Sequence, residues 1–153
     1  MNNEATINVM NTLIVTNSDR IEGYETAEKE TEETDLQDLF KCFIRTSELC
    51  KSELVATLKK LDGVPNEGIR ITGKFFRVWM EVKAFLTGKD RVSILNSCEY
   101  GENAAGKTYK ETIDNNLHAL TSQEQTMLNV QQNLLKADLK RVVTLRDLLV
   151  VAA

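Results

Sequence analysis

The sequence predicts an all-α fold, a four-helix bundle with one long crossover. Apolar residues recur at steps of three and four in four segments, and no segment alternates with the two-residue period of a strand. The chain breakers gather in the middle, where three of the seven glycines and the only proline lie between residues 63 and 73.

Helix 1, expected over about residues 5–33, is marked by Ile7, Met10, Ile14, Asn17, Ile21, Tyr24 and Glu28, which fall along one helical stripe. Helix 2, about 35–61, opens with Thr34-Asp35-Leu36-Gln37, a capping-box pattern in which Thr34 accepts from a free N–H and Gln37 reaches back. Its stripe is Leu36, Phe40, Phe43, Ser47, Cys50, Leu54, Leu58 and Leu61, and Asp62-Gly63 followed by Pro65 stops it. Within the crossover, 62–89, Phe75, Trp79, Val82 and Leu86 predict a short amphipathic helix closed by Gly88. Asp90 caps helix 3, about 90–114, whose stripe is Val92, Leu95, Cys98, Glu102, Ala105, Tyr109 and Ile113. Thr121 and Glu124 form a second capping box for helix 4, about 122–150, with Leu128, Gln131, Leu135, Asp138, Val142, Leu145 and Leu149 facing inward.

Short connections make antiparallel hairpins of helices 1 and 2 and of helices 3 and 4. The middle connection is long enough to run the height of a bundle about 37 Å tall, since a helix of some sixteen residues covers about 24 Å and extended residues add the rest. One such crossover is the ferritin-like arrangement. A chain of 153 residues accommodates this as a single domain, residues 1–153, with one core.

Composition excludes several partners. A net charge of -4 and a pI near 5.1 give no general attraction to nucleic acid or anionic lipid. No apolar run approaches the roughly 20 residues that cross a bilayer. Cys42, Cys50 and Cys98 form no Cys-x-x-Cys pair in a chain without a signal peptide, which predicts free thiols and a cytoplasmic location.

The run Asn17-Ser18-Asp19-Arg20-Ile21-Glu22-Gly23-Tyr24-Glu25, the segment Trp79-Met80-Glu81-Val82-Lys83-Ala84-Phe85-Leu86-Thr87-Gly88 and Cys98-Glu99-Tyr100-Gly101-Glu102 resemble an uncharacterised bacterial family of ferritin-like four-helix bundles, the domain of unknown function 2383. The resemblance covers about residues 8–148. It implies the bundle, the crossover, a small cytoplasmic protein and a stress-related role, and it supplies no catalytic residues.

Gly101-Glu102-Asn103-Ala104-Ala105-Gly106-Lys107-Thr108 fits the phosphate-loop pattern G-x-x-x-x-G-K-[ST] letter for letter. That chemistry needs a strand before the loop and free N–H groups around the phosphates. Here the stripe of helix 3 runs through the motif unbroken, so the match reads as chance and its glycines as close-packing positions on a helix.

A ferritin-like fold also suggests a paired iron or manganese site, built from one Glu on each of two helices and Glu-x-x-His on the others. The chain has no Glu-x-x-His, and its only histidine, His118, falls near a helix end as a surface or cap residue. Each stripe nevertheless breaks near its midpoint with a polar residue: Asn17, Ser47, Glu102 and Asp138. Helices of matched height would bring these into one central layer, with Arg20, Tyr24 and Gln131 as further members of a hydrogen-bonded network that fixes register. The rival is a divalent-metal or small-ligand pocket using Glu102 and Asp138, with manganese or iron as the cofactor.

Other features carry structural readings. The acidic stretch Glu22–Asp38 lacks the order of a calcium loop and reads as a solvated helix end. Trp79 with Phe75, Phe76 and Phe85 reads as the packing face of the crossover. Cys50 and Cys98 fall on core stripes, and Cys42 lies one step off. The function expected is a non-enzymatic structural or interaction protein without cofactor or catalytic residues. The alternative is a degenerate metal-dependent oxidoreductase or metal binder. The apolar tail Leu148-Leu149-Val150-Val151 predicts burial against the crossover or a second copy, hence a dimer.

Overall fold

The computed structural model describes residues 3–66 and the backbone of 91–152, with side chains through 149 in the second part. Among these residues there are four α-helices and no strand: α1 (Glu4–Glu30), α2 (Thr34–Lys60), α3 (Arg91–Asp114) and α4 (Ser122–Ala152), with a 3-10 turn at Leu117–Ala119. The crossover helix expected around Phe75 to Leu86, its aromatic packing face and the Asp90 cap lie outside the described residues.

Most of the predicted stripe positions are buried, while others, among them Ile7, Ile21, Glu28, Leu61 and Val92, are half-buried. Met10, Ile14 and Tyr24 of α1, Phe40, Phe43 and Leu54 of α2, Leu95 and Tyr109 of α3, and Leu128, Leu135 and Val142 of α4 are buried in one core. α1 lies along α2 and α3 along α4, and the two hairpins meet through α1 against α3 and α2 against α4. Asn66 donates its N–H to Asn11 near the start of α1, whereas Arg91 pairs with Glu33 and Asp35 beyond the end of α1. Asn66 and Arg91 thus sit at opposite ends of the bundle.

The helix ends partly correct the expected boundaries. α1 stops at Glu30 rather than near residue 33, because Thr31 turns to extended backbone and its hydroxyl accepts the Glu33 N–H at 3.2 Å. Thr34 is consequently not the cap of α2: Glu33 holds that place without a side-chain bond, and Gln37 reaches past it to the Thr31 carbonyl at 2.8 Å. The second capping box is present, with Thr121 Oγ1 accepting from the Glu124 N–H at 3.1 Å and Glu124 accepting from the Thr121 N–H at 2.9 Å. At the end of α2 the left-handed residue is Asp62, with φ 58°, while the N–H groups of Gly63 and Asp62 bond back to Leu58 and Lys59. Gly63 instead packs closely: a Cβ there would stand 2.5 Å from Leu58 Cδ1, so the buried Leu58 side chain would have to shift.

The phosphate-loop match lies wholly inside α3, so its backbone N–H groups belong to the helix. Gly101 is buried, as a close-packing position should be. Gly106 is not one: a Cβ added there would meet nothing within 4 Å, because residue 106 points away from the neighbouring helices. His118 is exposed in the 3-10 turn, as expected for a surface residue. At the end of α4, Leu149 packs on the core and Leu148 is exposed.

Because Lys107 projects from the middle of a helix, ATP and GTP should leave the melting temperature unchanged; ligand at a hundred times its dissociation constant would add about 2.7 kcal/mol. A melting shift that disappears in Lys107→Ala would refute this.

Candidate functional site

Asn17, Arg20 and Tyr24 follow one another at steps of three and four on the inward stripe of α1, so one helix sends three polar side chains into the core. Arg20 is the hub. It is fully buried, and a buried guanidinium is tolerated only where its donors are matched. Its Nε and one terminal nitrogen grip Glu102 of α3 at 2.8 and 3.0 Å, a two-point clasp. The same terminal nitrogen reaches Asp138 of α4 at 3.2 Å, and the other donates to Ser47 Oγ of α2. Tyr24 completes the shell by donating its hydroxyl to Glu102 at 2.9 Å. All four helices therefore meet on one side chain.

Tyr24 is held by its own packing, stacked on Phe40 at 5.5 Å and tilted against Phe43 at 5.1 Å between ring centres. The Arg20 guanidinium lies 5.5 Å from the Tyr24 ring centre. On the α2–α4 side, Arg141 lies over Phe43 at 5.7 Å.

Burial and pairing oppose each other throughout this centre. For Arg20 burial disfavours the charge, but Glu102 and then Tyr24 and Asp138 outweigh it, and the guanidinium is held protonated more firmly than usual. For Glu102 burial dominates and raises the carboxyl above its ordinary value, against the pull of Arg20 and the Tyr24 hydroxyl. Asp138 is raised for the same first reason, opposed by Arg20 and by a bond from Thr46. Glu102 nonetheless accepts from Arg20 and Tyr24 at both oxygens, the bonding pattern of an ionised carboxylate.

A second polar cluster lies one turn away on α1. Asn17 donates to the Leu13 carbonyl at 2.9 Å and to the Tyr109 hydroxyl at 2.7 Å. Tyr109 donates to Gln131 at 2.9 Å, and Gln131 donates to the Cys50 carbonyl at 3.3 Å and to Glu53 at 3.1 Å. The seven residues expected to share one central layer are thus divided between two. Ser47, Glu102 and Asp138 gather on Arg20 with Tyr24, while Asn17 and Gln131 belong to the Tyr109 cluster, because residue 17 sits a turn below residue 20. Tyr109 and Glu53 were not among the candidates. Tyr109 could have been found from its place on a buried stripe, where a phenol must find a hydrogen-bond partner.

The chemistry open to this centre is limited. Burial pushes the Cys50 thiol up to about 11 and holds Cys98 well above the usual thiol range, so neither is a ready nucleophile. A divalent metal fits the donor set poorly. Glu102 spends both oxygens and Asp138 one on a guanidinium fixed between them, and a cation placed there would stand against its charge. Among the described residues no group of three or more His, Cys, Asp or Glu side chains could hold a metal ion.

Arg20→Met would strand two buried carboxylates and should lower stability in urea by about 3–5 kcal/mol. Tyr24→Phe removes one donor and should cost about 1 kcal/mol. Equal losses in the two variants would show that Arg20 is not the hub. A raised folded pKa at Asp138 means that the folded state binds its proton more readily. Its contribution to stability is complete below the unfolded value near 3.8 and lost as pH rises through the folded value. The melting-temperature gap between the wild type and Asp138→Asn should therefore shrink from about pH 3 to about pH 6. A gap that widens with pH would mean that Arg20 outweighs burial at Asp138.

No curated protein matches the chain. A family model does match, over residues 5–115, which spans α1, α2 and α3 and so includes Arg20, Tyr24, Ser47 and Glu102. The chain belongs to the family described as domain of unknown function (DUF2383).

Proposed function

We propose that this protein is a non-enzymatic structural or interaction protein of ferritin-like topology, whose buried centre fixes the register of four helices. The single observation behind this reading is the Arg20 clasp, in which the guanidinium takes the place between Glu102 and Asp138 that a substrate or metal would need. A centre built this way has no open coordination position, no thiol poised as a nucleophile and no free general base. What such a bundle offers other molecules is its outer surface, held constant because the helices cannot slide past one another.

Protein purified without added ions should carry no stoichiometric manganese or iron by elemental analysis. Adding either metal, or a chelator, should leave the melting temperature unchanged. Stoichiometric metal that is lost in Glu102→Gln would replace this reading with the metal-binding one.

A further inference from the structure

On the outer side of the α1–α2 hairpin, away from the Arg20 centre, lies a cavity of about 750 Å³ between the two helices. One end is acidic: Glu22 and Glu25 of α1 and Glu48 of α2 line it, and none of the three has an ion-pair partner among the described residues. The floor is apolar, formed by Ile21, Val55 and Ala56. Lys51 and Ser52 of α2 line its middle and Lys59 the far end, about 16 Å from Glu48 along the axis of α2.

Two atoms of this lining are buried without a hydrogen-bond partner, Ser18 Oγ and Glu22 Oε2. Ser18 as a whole is 4% exposed. Its orphan hydroxyl is unusual for its own helix, since Thr12, Thr16 and Thr26 all satisfy theirs on the carbonyl one turn earlier. A buried carboxylate oxygen and a buried hydroxyl left unmatched on the same wall are costly in the empty protein and are acceptors waiting for a donor.

We propose that this cavity binds a small organic monoamine, an ammonium group carried on an apolar stem. The ammonium supplies three N–H donors, enough for Glu22 Oε2, Ser18 Oγ and one of the other carboxylates, and its charge offsets the acidic end. The stem covers Ile21, Val55 and Ala56. Lys51 and Lys59 in the lining offset two of the three carboxylates, leaving a single negative charge that one ammonium neutralises and a polyamine would exceed. A divalent metal is a poorer match, because the carboxylates are not grouped closely enough to coordinate one.

Calorimetric titration of the full chain with hexylammonium chloride at neutral pH tests this, with hexanol, hexanoate and spermidine as comparators. Hexylammonium should bind with a dissociation constant of about 1 mM or tighter, and each comparator at least about tenfold more weakly. Glu22→Gln should weaken hexylammonium at least about tenfold while keeping the melting temperature of the wild type or raising it. Ser18→Ala should weaken it less and fold as well. Lack of binding at about 10 mM would overturn the proposal, as would equal binding of hexanol, tighter binding of spermidine, or an affinity untouched by Glu22→Gln. Because the cavity shares no residue with the Arg20 centre, failure here leaves the reading of that centre as it stands.

Discussion

The structure depends on one buried guanidinium. Arg20 is fully enclosed, and its bonds reach three other helices: two to Glu102 on α3, one to Asp138 on α4 and one to Ser47 on α2. Removing such a charge from water costs several kcal/mol, which is recovered only if every partner stands at the right height. A slip of one turn in any helix would move its partner by about 5.4 Å and leave the charge unmatched. Apolar side chains alone would tolerate such slips more easily, because Leu, Phe and Ile pack in several registers. The clasp is therefore better understood as a device for specifying one arrangement than as a source of large net stability.

Other parts of the bundle extend that constraint. The Asn17–Tyr109–Gln131 cluster repeats it one turn away with neutral groups, so a second set of cross-helix bonds must also be satisfied. At the ends, the return of Asp62 and Gly63 to the last turn of α2 and the reciprocal Thr121–Glu124 box before α4 close the helices at defined residues. Thr6 adds a bond of 2.6 Å to the Ala119 carbonyl, which holds the start of α1 against the turn between α3 and α4. Arg146 joins α4 to Glu99 of α3 at 2.8 Å, a partly exposed pair of the kind that contributes little.

Membership of a family without assigned function places the weight of interpretation on the chemistry of the sites. The matched residues 5–115 contain the Arg20 clasp up to Glu102, while Asp138 comes from α4 beyond them. The centre has the carboxylates of a metal-binding bundle but directs them at a cation that the chain itself provides. In the outer α1–α2 cavity Glu22, Glu25 and Glu48 form no ion pair among the described residues, although Lys51 and Lys59 share the lining. The two sites differ in one physical respect: in the first the opposite charge is clasped between the carboxylates, and in the second the lysines of the lining form no ion pair with them.

Much of the fold was legible in the sequence, because helical periodicity and breakers are local signals. The stripes from Met10 to Tyr24, Leu36 to Leu58, Leu95 to Ile113 and Leu128 to Val142 all face the core. The same phase argument placed the phosphate-loop match inside a helix, where the structure has it. Details that hinge on a few hydrogen bonds were less legible: Thr34 is a plausible cap in sequence, yet Thr31 captures Gln37 and Glu33 first. The polar residues of the centre were also visible, as interruptions of apolar stripes. Their grouping was not, since helix heights and side-chain reach are set by packing between segments more than 80 residues apart, as with Arg20 and Glu102. By itself the sequence determined which residues would be buried; only the tertiary structure decided which of them would meet, because a stripe fixes the face of a helix but not its height against its neighbours.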